Sequence, residues 1–294
     1  RVIFVVGQNP GTNHPRMLQA LQRAKAAGAR IIHVNPLPEV GLVRFKNPQA
    51  ASGWLGKGTA LADQFLQVRV GGDLALLKGI QKALLEIEAR RPGAGVAREW
   101  IAARTAGFAA HEADLEAADW ATLEAESGVS RAELELAAEA CADTDRVIVC
   151  WAMGITQHTN GVANVQACSN LLLMRGAIGK PGAGACPVRG HSNVQGDRTM
   201  GIWERPSAAF LDRLQATFGF DPPRAHGADV VSAIQRMIDR PGGVFFAMGG
   251  NFLSATPDTE ATAQALRQCR LTVQVSTKLN RAHLITGKTG LILP

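Results

Sequence analysis

A strand, a polar loop, a helix and a second strand follow one another at each end of this chain, and that pattern constrains its fold more than any other feature. At the start, Val2–Val6 is an apolar β-branched run that reads as a strand. Gly7-Gln8-Asn9-Pro10-Gly11-Thr12-Asn13-His14 is a loop, and Pro15 suits the first position of a helix that runs to Ala27, with Gly28 closing it. Arg30–Val34 is the next strand, ended by Asn35-Pro36. A strand feeding a helix feeding a strand implies a right-handed parallel crossover, and ligands of such sheets sit at the carboxyl ends of the strands. Gly7, Asn9 and Asn35 fall at those ends. Near the other terminus the pattern returns as strand Val244–Met248, loop Gly249–Thr256, Pro257, a helix to Cys269 and strand Leu271–Val275. Phe4, Gly7, Asn9 and Pro15 align without a gap on Phe246, Gly249, Asn251 and Pro257, at the constant offset of 242 that separates Asn9 from Asn251. Two accounts fit: βαβ units resemble each other by common physics, or two related loops hold two similar halves of a ligand.

Between the two units the chain alternates in the same way. Residues 41–66 are irregular, and a strand is expected over Gln67–Val70. After Gly71-Gly72-Asp73, residues Leu74, Leu77, Ile80, Leu84 and Ile87 form a helical stripe. On pattern alone Asp73 is the N-cap of that helix. Ala/Glu-rich helices follow over 97–126, and Ser130-Arg131-Ala132-Glu133 is a capping box. Val147–Val149 reads as a buried strand that breaks at Gly154 into the polar loop Thr156-Gln157-His158-Thr159-Asn160. A helix is expected from about Val162, with Val165, Leu172 and Ile178 among its apolar positions, stopped by Gly179, Pro181 and Gly182. The Gly-rich stretch around Arg189 is too long and too polar for a turn, and loops of that kind bind ligands. Helices are expected near Pro206–Phe218 and Ala228–Asp239, before the second unit begins.

Hydrophobic content of 46% with 19% charged residues over 294 positions belongs to a folded α/β protein of one large or two ordinary domains. No apolar run reaches membrane-spanning length, which argues against membrane insertion. The net charge of +6 suits an anionic ligand such as a nucleotide pyrophosphate. No Lys/Arg run and no Tyr occur, which argues against nucleic acid. The loops lack G-x-G-x-x-G, so a standard nicotinamide site is unsupported. Cys141, Cys150, Cys168, Cys186 and Cys269 form no C-x-x-C pair, and reduced core thiols of a cytoplasmic protein are expected. Cys150 falls on a strand, Cys168 on a helix and Cys186 on a loop, and the three are not expected to make a metal site. The first and last residues lie inside strand-like runs, so the chain is expected to be the middle of a longer protein.

The stretches WAMGITQHTNG, LLLMRGAIGKPGAGACPVRGHSNVQG, GQNPGTNHP with IIHVNP, and MGGNFLSATPD with VSTKLNRAHLITGKTGLILP resemble the molybdopterin oxidoreductases of the dimethyl sulfoxide reductase superfamily. Within it they are similar to formate dehydrogenase alpha subunits, and most to their YdeP-type branch. The resemblance covers nearly the whole chain. It implies two three-layer αβα domains with mainly parallel sheets. Residues 1–190 would bind one guanine dinucleotide of a bis(molybdopterin guanine dinucleotide) cofactor that carries molybdenum or tungsten. Residues 191–294 would be the returning half of the second dinucleotide-binding domain. The resemblance places Gly7, Asn9, Thr12, His14 and Asn35 in the first nucleotide site, and Asp73 in a guanine-binding turn. Met153 and Gln157 would line the pterin, and Gly249, Asn251 and Lys278 would contact the second dinucleotide. Arg189 and His191 would stand beside the metal, whose protein ligand lies outside this chain, as would any 4Fe-4S cluster. The implied activity is two-electron oxidation of formate or a similar small substrate, with an electron-transfer partner subunit. This stretch alone is expected to be inactive. Two other readings stay open on the residues: a scaffold subunit that keeps the fold without the cofactor, and an unrelated nucleotide-binding module.

Overall fold

Val2–Val6 (β1) is buried along its whole length, as a run of β-branched and aromatic residues should be when both faces of a sheet are covered. The computed structural model describes residues 1–294, the side chain of Ser52 excepted, and they fall into two units, Arg1–His191 and Ser192–Pro294. In the first, β1 is followed by helix α1 (Pro15–Ala26), β2 (Arg30–Val34), β3 (Gln64–Leu66), α2 (Asp73–Arg90), α3 (Arg131–Ala142), β4 (Val147–Trp151), α4 (Gly161–Met174) and β5 (Gly184–Pro187). The five strands make one parallel sheet in the order β3-β2-β1-β4-β5.

Alternation along β1 divides the core between two faces. Val2, Phe4 and Val6 pack with Leu77, Ile80 and Leu84 of α2, Leu134 and Ala138 of α3, and Leu171 and Leu172 of α4. Ile3 and Val5 pack on the other side with Leu18 and Leu21 of α1 and with Leu42, Phe45 and Leu61. This is a three-layer αβα unit. Each fully buried Leu or Ile in it contributes about 1.5–3 kcal/mol of transfer free energy. The second unit carries β6 (Val244–Met248), α5 (Thr259–Arg267), β7 (Leu271–Val275) and β8 (Thr289–Leu293), with the strands again parallel in the order β6-β7-β8.

The two end units are one local structure repeated. β1 and β6 keep the offset of 242 at both ends, and so do the short helices Pro10–Asn13 and Phe252–Ala255. Gly7 and Gly249 both have positive φ, +58° and +71°. The Gly7 N–H donates to the Val34 carbonyl at 2.9 Å, and the Gly249 N–H donates to the Val275 carbonyl at 2.8 Å. The carbonyls of Asn9 and Asn251 each accept the N–H groups of the third and fourth residues of the short helix that follows, Thr12 and Asn13 in the first and Ser254 and Ala255 in the second.

Three elements depart from the sequence expectation. The strand expected at Gln67–Val70 is β3 at Gln64–Leu66, where pairing with Ile32–Val34 sets the register. Helix α4 ends at Met174, short of Ile178, because Gly176 takes φ +55° and the amides of Gly176 and Ala177 turn back to the carbonyls of Leu173 and Leu172. Cys186 lies on strand β5, not on a loop.

Candidate functional site

The order β3-β2-β1-β4-β5 reverses direction between β1 and β4, so the loops after these two strands leave the sheet to opposite sides. That switch point is where open parallel sheets bind ligands. The two loops touch there. A Cβ on Gly154 would lie 2.2 Å from the Gly7 carbonyl oxygen, and a Cβ on Gly7 would lie 2.6 Å from Cγ2 of Ile155. Only glycines allow this approach. Asn164, buried in α4, donates through Nδ2 to the Ile155 carbonyl at 3.0 Å and holds the second loop in place.

Every site residue expected in the first unit lies on this carboxyl edge. Gly7, Asn9, Thr12 and His14 follow β1, Asn35 follows β2, Asp73 starts α2 after β3, Met153 and Gln157 follow β4, and Arg189 and His191 follow β5. Side chains tie the loops into one rim. Asn9 Oδ1 accepts the Thr12 N–H at 3.1 Å, and its Nδ2 donates to Glu39 at 2.5 Å. Asn35 Nδ2 donates to the other Glu39 oxygen at 3.0 Å. Glu39 therefore joins the β1 and β2 loops. His14 Nε2 lies 3.4 Å from the Arg189 carbonyl and joins the β1 and β5 loops. His158 Nε2 lies 3.9 Å from Asp73 Oδ2 and joins the β3 and β4 loops. Met153, Gln157, Arg189 and His191 present exposed side chains. Glu39 and His158 escaped the sequence reading: Glu39 stands in an irregular Pro-rich turn, and His158 is one of five polar residues in a row.

Asp73 corrects the simplest sequence expectation. The N-cap of α2 is Gly72, and no side chain caps that helix. Asp73 is only 4% exposed. Burial pushes its carboxyl above the usual carboxylate range, and His158 partly opposes the rise. Helix α4 also starts on this edge without a side-chain cap, at Asn160, as does α1, at His14. Helix starts of this kind carry unsatisfied amides and positive potential, which suit phosphate. Gln8 Oε1 and His14 Nδ1 are buried without a partner on the same edge. Carboxylate acceptors at Glu39 and Asp73 beside uncapped helix starts can serve the N–H and O–H donors and the pyrophosphate of one nucleotide. Such a set fits a nucleotide that carries a pyrophosphate. Among the described residues no group of three His, Cys, Asp or Glu side chains could hold a metal ion.

In the second unit Gly249 and Asn251 follow β6, and Lys278 follows β7. Asn251 Oδ1 is buried without a partner. Asn280 donates through Nδ2 to the Gly250 carbonyl at 3.0 Å and ties these two loops together.

Comparison with known proteins agrees with the geometry. The family model described as molybdopterin oxidoreductase matches residues 1–284. An uncharacterised oxidoreductase of Mycobacterium tuberculosis is 55% identical over 293 residues, 100% of this chain and 38% of its own length. The YdeP protein of Escherichia coli is 47% identical over 298 residues, 100% of this chain and 39% of its own length. The chain thus spans about two fifths of these curated relatives. Among solved structures, acetylene hydratase from Pelobacter acetylenicus shares the fold with a TM-score of 0.62 at 16% identity, over 94% of this chain and 38% of that one. These matches rule out an unrelated nucleotide-binding module, and the chain belongs to the molybdopterin oxidoreductase family.

Proposed function

We propose that this chain is the central part of a molybdenum or tungsten oxidoreductase with a bis(molybdopterin guanine dinucleotide) cofactor, and that the whole protein oxidises formate or a similar small substrate. The observation that carries this reading is the repeat of β1 and its loop in β6 and its loop, down to the amide bonds of Gly7 and Gly249. Two equivalent loops suit two equivalent dinucleotides. Glu39, Asp73, Asn9 and Asn35 would accept and donate to base and ribose in the first site, and the starts of α2 and α4 would face phosphate. Thr12, His14, Met153 and Gln157 would complete that side, and Gly249, Asn251 and Lys278 would hold the second dinucleotide. When bound, the group supplies the two-electron redox chemistry. A scaffold without cofactor has no use for a buried, uncapped Asp73 or for unpartnered acceptors on both loops. The metal ligand and any 4Fe-4S cluster would come from outside residues 1–294. The whole protein would be cytoplasmic, would pass electrons to a partner subunit and would bind neither nucleic acid nor a membrane. Among the described residues no helix is long and apolar enough to cross one.

The chain's own part in turnover is to place charge and exclude mismatch. Arg189 offers a planar fork for a carboxylate. His14, with Nε2 protonated, donates to the Arg189 carbonyl and fixes the backbone from which that fork projects. His191 is two residues on and is the second polar group for substrate. In the loaded full-length protein, Arg189→Lys should keep cofactor and fold and lose turnover of formate. Arg189→Ala should lose more, about 2–4 kcal/mol of transition-state stabilisation. Full cofactor content with unchanged kinetics in the alanine variant would remove Arg189 from the catalytic centre.

A further inference from the structure

On the sheet face that carries Ile3 and Val5, helix α1 leaves a groove of about 540 Å³ beside β4 and β5. Its walls include Met17 and Leu21 from α1 and Ile148, Cys150, Cys186 and Val188 from the sheet side. Cys150 and Cys186 are register partners on neighbouring parallel strands, so their side chains leave the same face side by side. Both are free thiols. Cys150 is buried and Cys186 is exposed. Neighbouring strands lie about 4.8 Å apart, inside the Cα separation of about 4.4–6.8 Å that a disulfide accepts. Cys141 and Cys168 belong to the core on the opposite face, and Cys269 belongs to the second unit.

The two thiols are unequal. The neighbouring Cys150 thiol holds Cys186 below the usual thiol range. The Cys186 sulfur, together with burial, pushes Cys150 well above it. Burial pushes Cys141 and Cys168 up to about 12, which leaves them inert. An exposed nucleophilic thiol backed by a buried partner is the arrangement of an attacking and a resolving cysteine.

We propose that Cys150 and Cys186 form a peroxide-reactive dithiol site that closes reversibly to a disulfide between β4 and β5. The thiolate of Cys186 attacks one oxygen of hydrogen peroxide, and the O–O bond breaks. A sulfenic acid forms on Cys186, and the departing hydroxide takes up a proton to leave as water. The Cys150 sulfur then attacks the sulfenic sulfur and gives up its proton. The S–S bond forms, the S–O bond breaks and a second water leaves. Two thiols are oxidised and one peroxide is reduced, and an external dithiol reverses the change. The bridge would clamp β5 three residues before Arg189.

The test treats reduced full-length protein with one equivalent of hydrogen peroxide, caps free thiols with N-ethylmaleimide and maps peptides by mass spectrometry. The expected product is a peptide pair joined through Cys150 and Cys186, released by dithiothreitol. Cys150→Ser, or Cys150→Ala if serine impairs folding, should stop at a sulfenic acid on Cys186 that dimedone traps. Cys186→Ser should slow peroxide-dependent thiol loss by about tenfold or more. Capping of both residues after oxidation would overturn the proposal. A bridge to another cysteine, or Cys186 as sulfinic acid beside a free Cys150 in the wild type, would do the same.

Discussion

Asp73 is an unfavourable residue for the protein by itself. A carboxylate that is 4% exposed, with no capping bond to the helix it starts, has lost water and gained little in return. Its pKa is raised by burial. A raised carboxyl pKa means stability that is present at low pH and is lost as pH rises through the folded-state value. Asp73→Asn should therefore melt at a higher temperature than the wild type at pH 7 in the cofactor-free full-length protein. The difference should close below the ordinary aspartate value of 3.8. The same variant should hold guanine nucleotide about 10–100-fold less well, the worth of one charged hydrogen bond. Thermal melts across pH and nucleotide content measure the two effects. A variant that is neither more stable nor weaker in nucleotide binding would leave Asp73 as a plain helix residue.

Elements were legible where local chemistry and tertiary placement agree. β1, β2, β4, β6 and β7 announce themselves as short runs of mainly β-branched or aromatic residues between polar loops, and the Ser130 capping box is present as read. β5 is Gly-Ala-Cys-Pro, which has no strand preference of its own and forms because β4 offers an open edge. Hence the loop expected at Cys186 is a strand, and the Cys150–Cys186 juxtaposition stayed hidden. The rim residues after each strand were readable from topology, since carboxyl ends carry ligands, but Glu39 needed the geometry. β2 also hides a pH dependence. His33 is buried against Phe65, ring centroids 5.1 Å apart, and burial lowers its pKa to about 4 from 6.5. A lowered pKa gives stability that is full above the unfolded value and is lost as pH falls towards the folded one. Protection of the β2 amides should fall by up to about 3 kcal/mol between pH 6.5 and 4. His33→Phe should flatten that slope. Hydrogen exchange of the full-length protein measures it, and an unchanged slope in the variant would place the titrating group elsewhere.

For the whole molecule, the repeat is the central fact. One backbone pattern, from the strand through the positive-φ glycine to the short helix, occurs twice in the chain and carries an asparagine at the same point each time. Under the proposed function, each full-length protein would hold two guanine dinucleotides and one metal. The direct measurement is metal and nucleotide analysis of full-length protein purified from cells competent to make the cofactor. The expected result is one molybdenum or tungsten and two equivalents of GMP on acid hydrolysis, with Asn251→Ala lowering the GMP yield. Protein that is folded yet free of metal and GMP would contradict it and would leave the family fold serving as a scaffold.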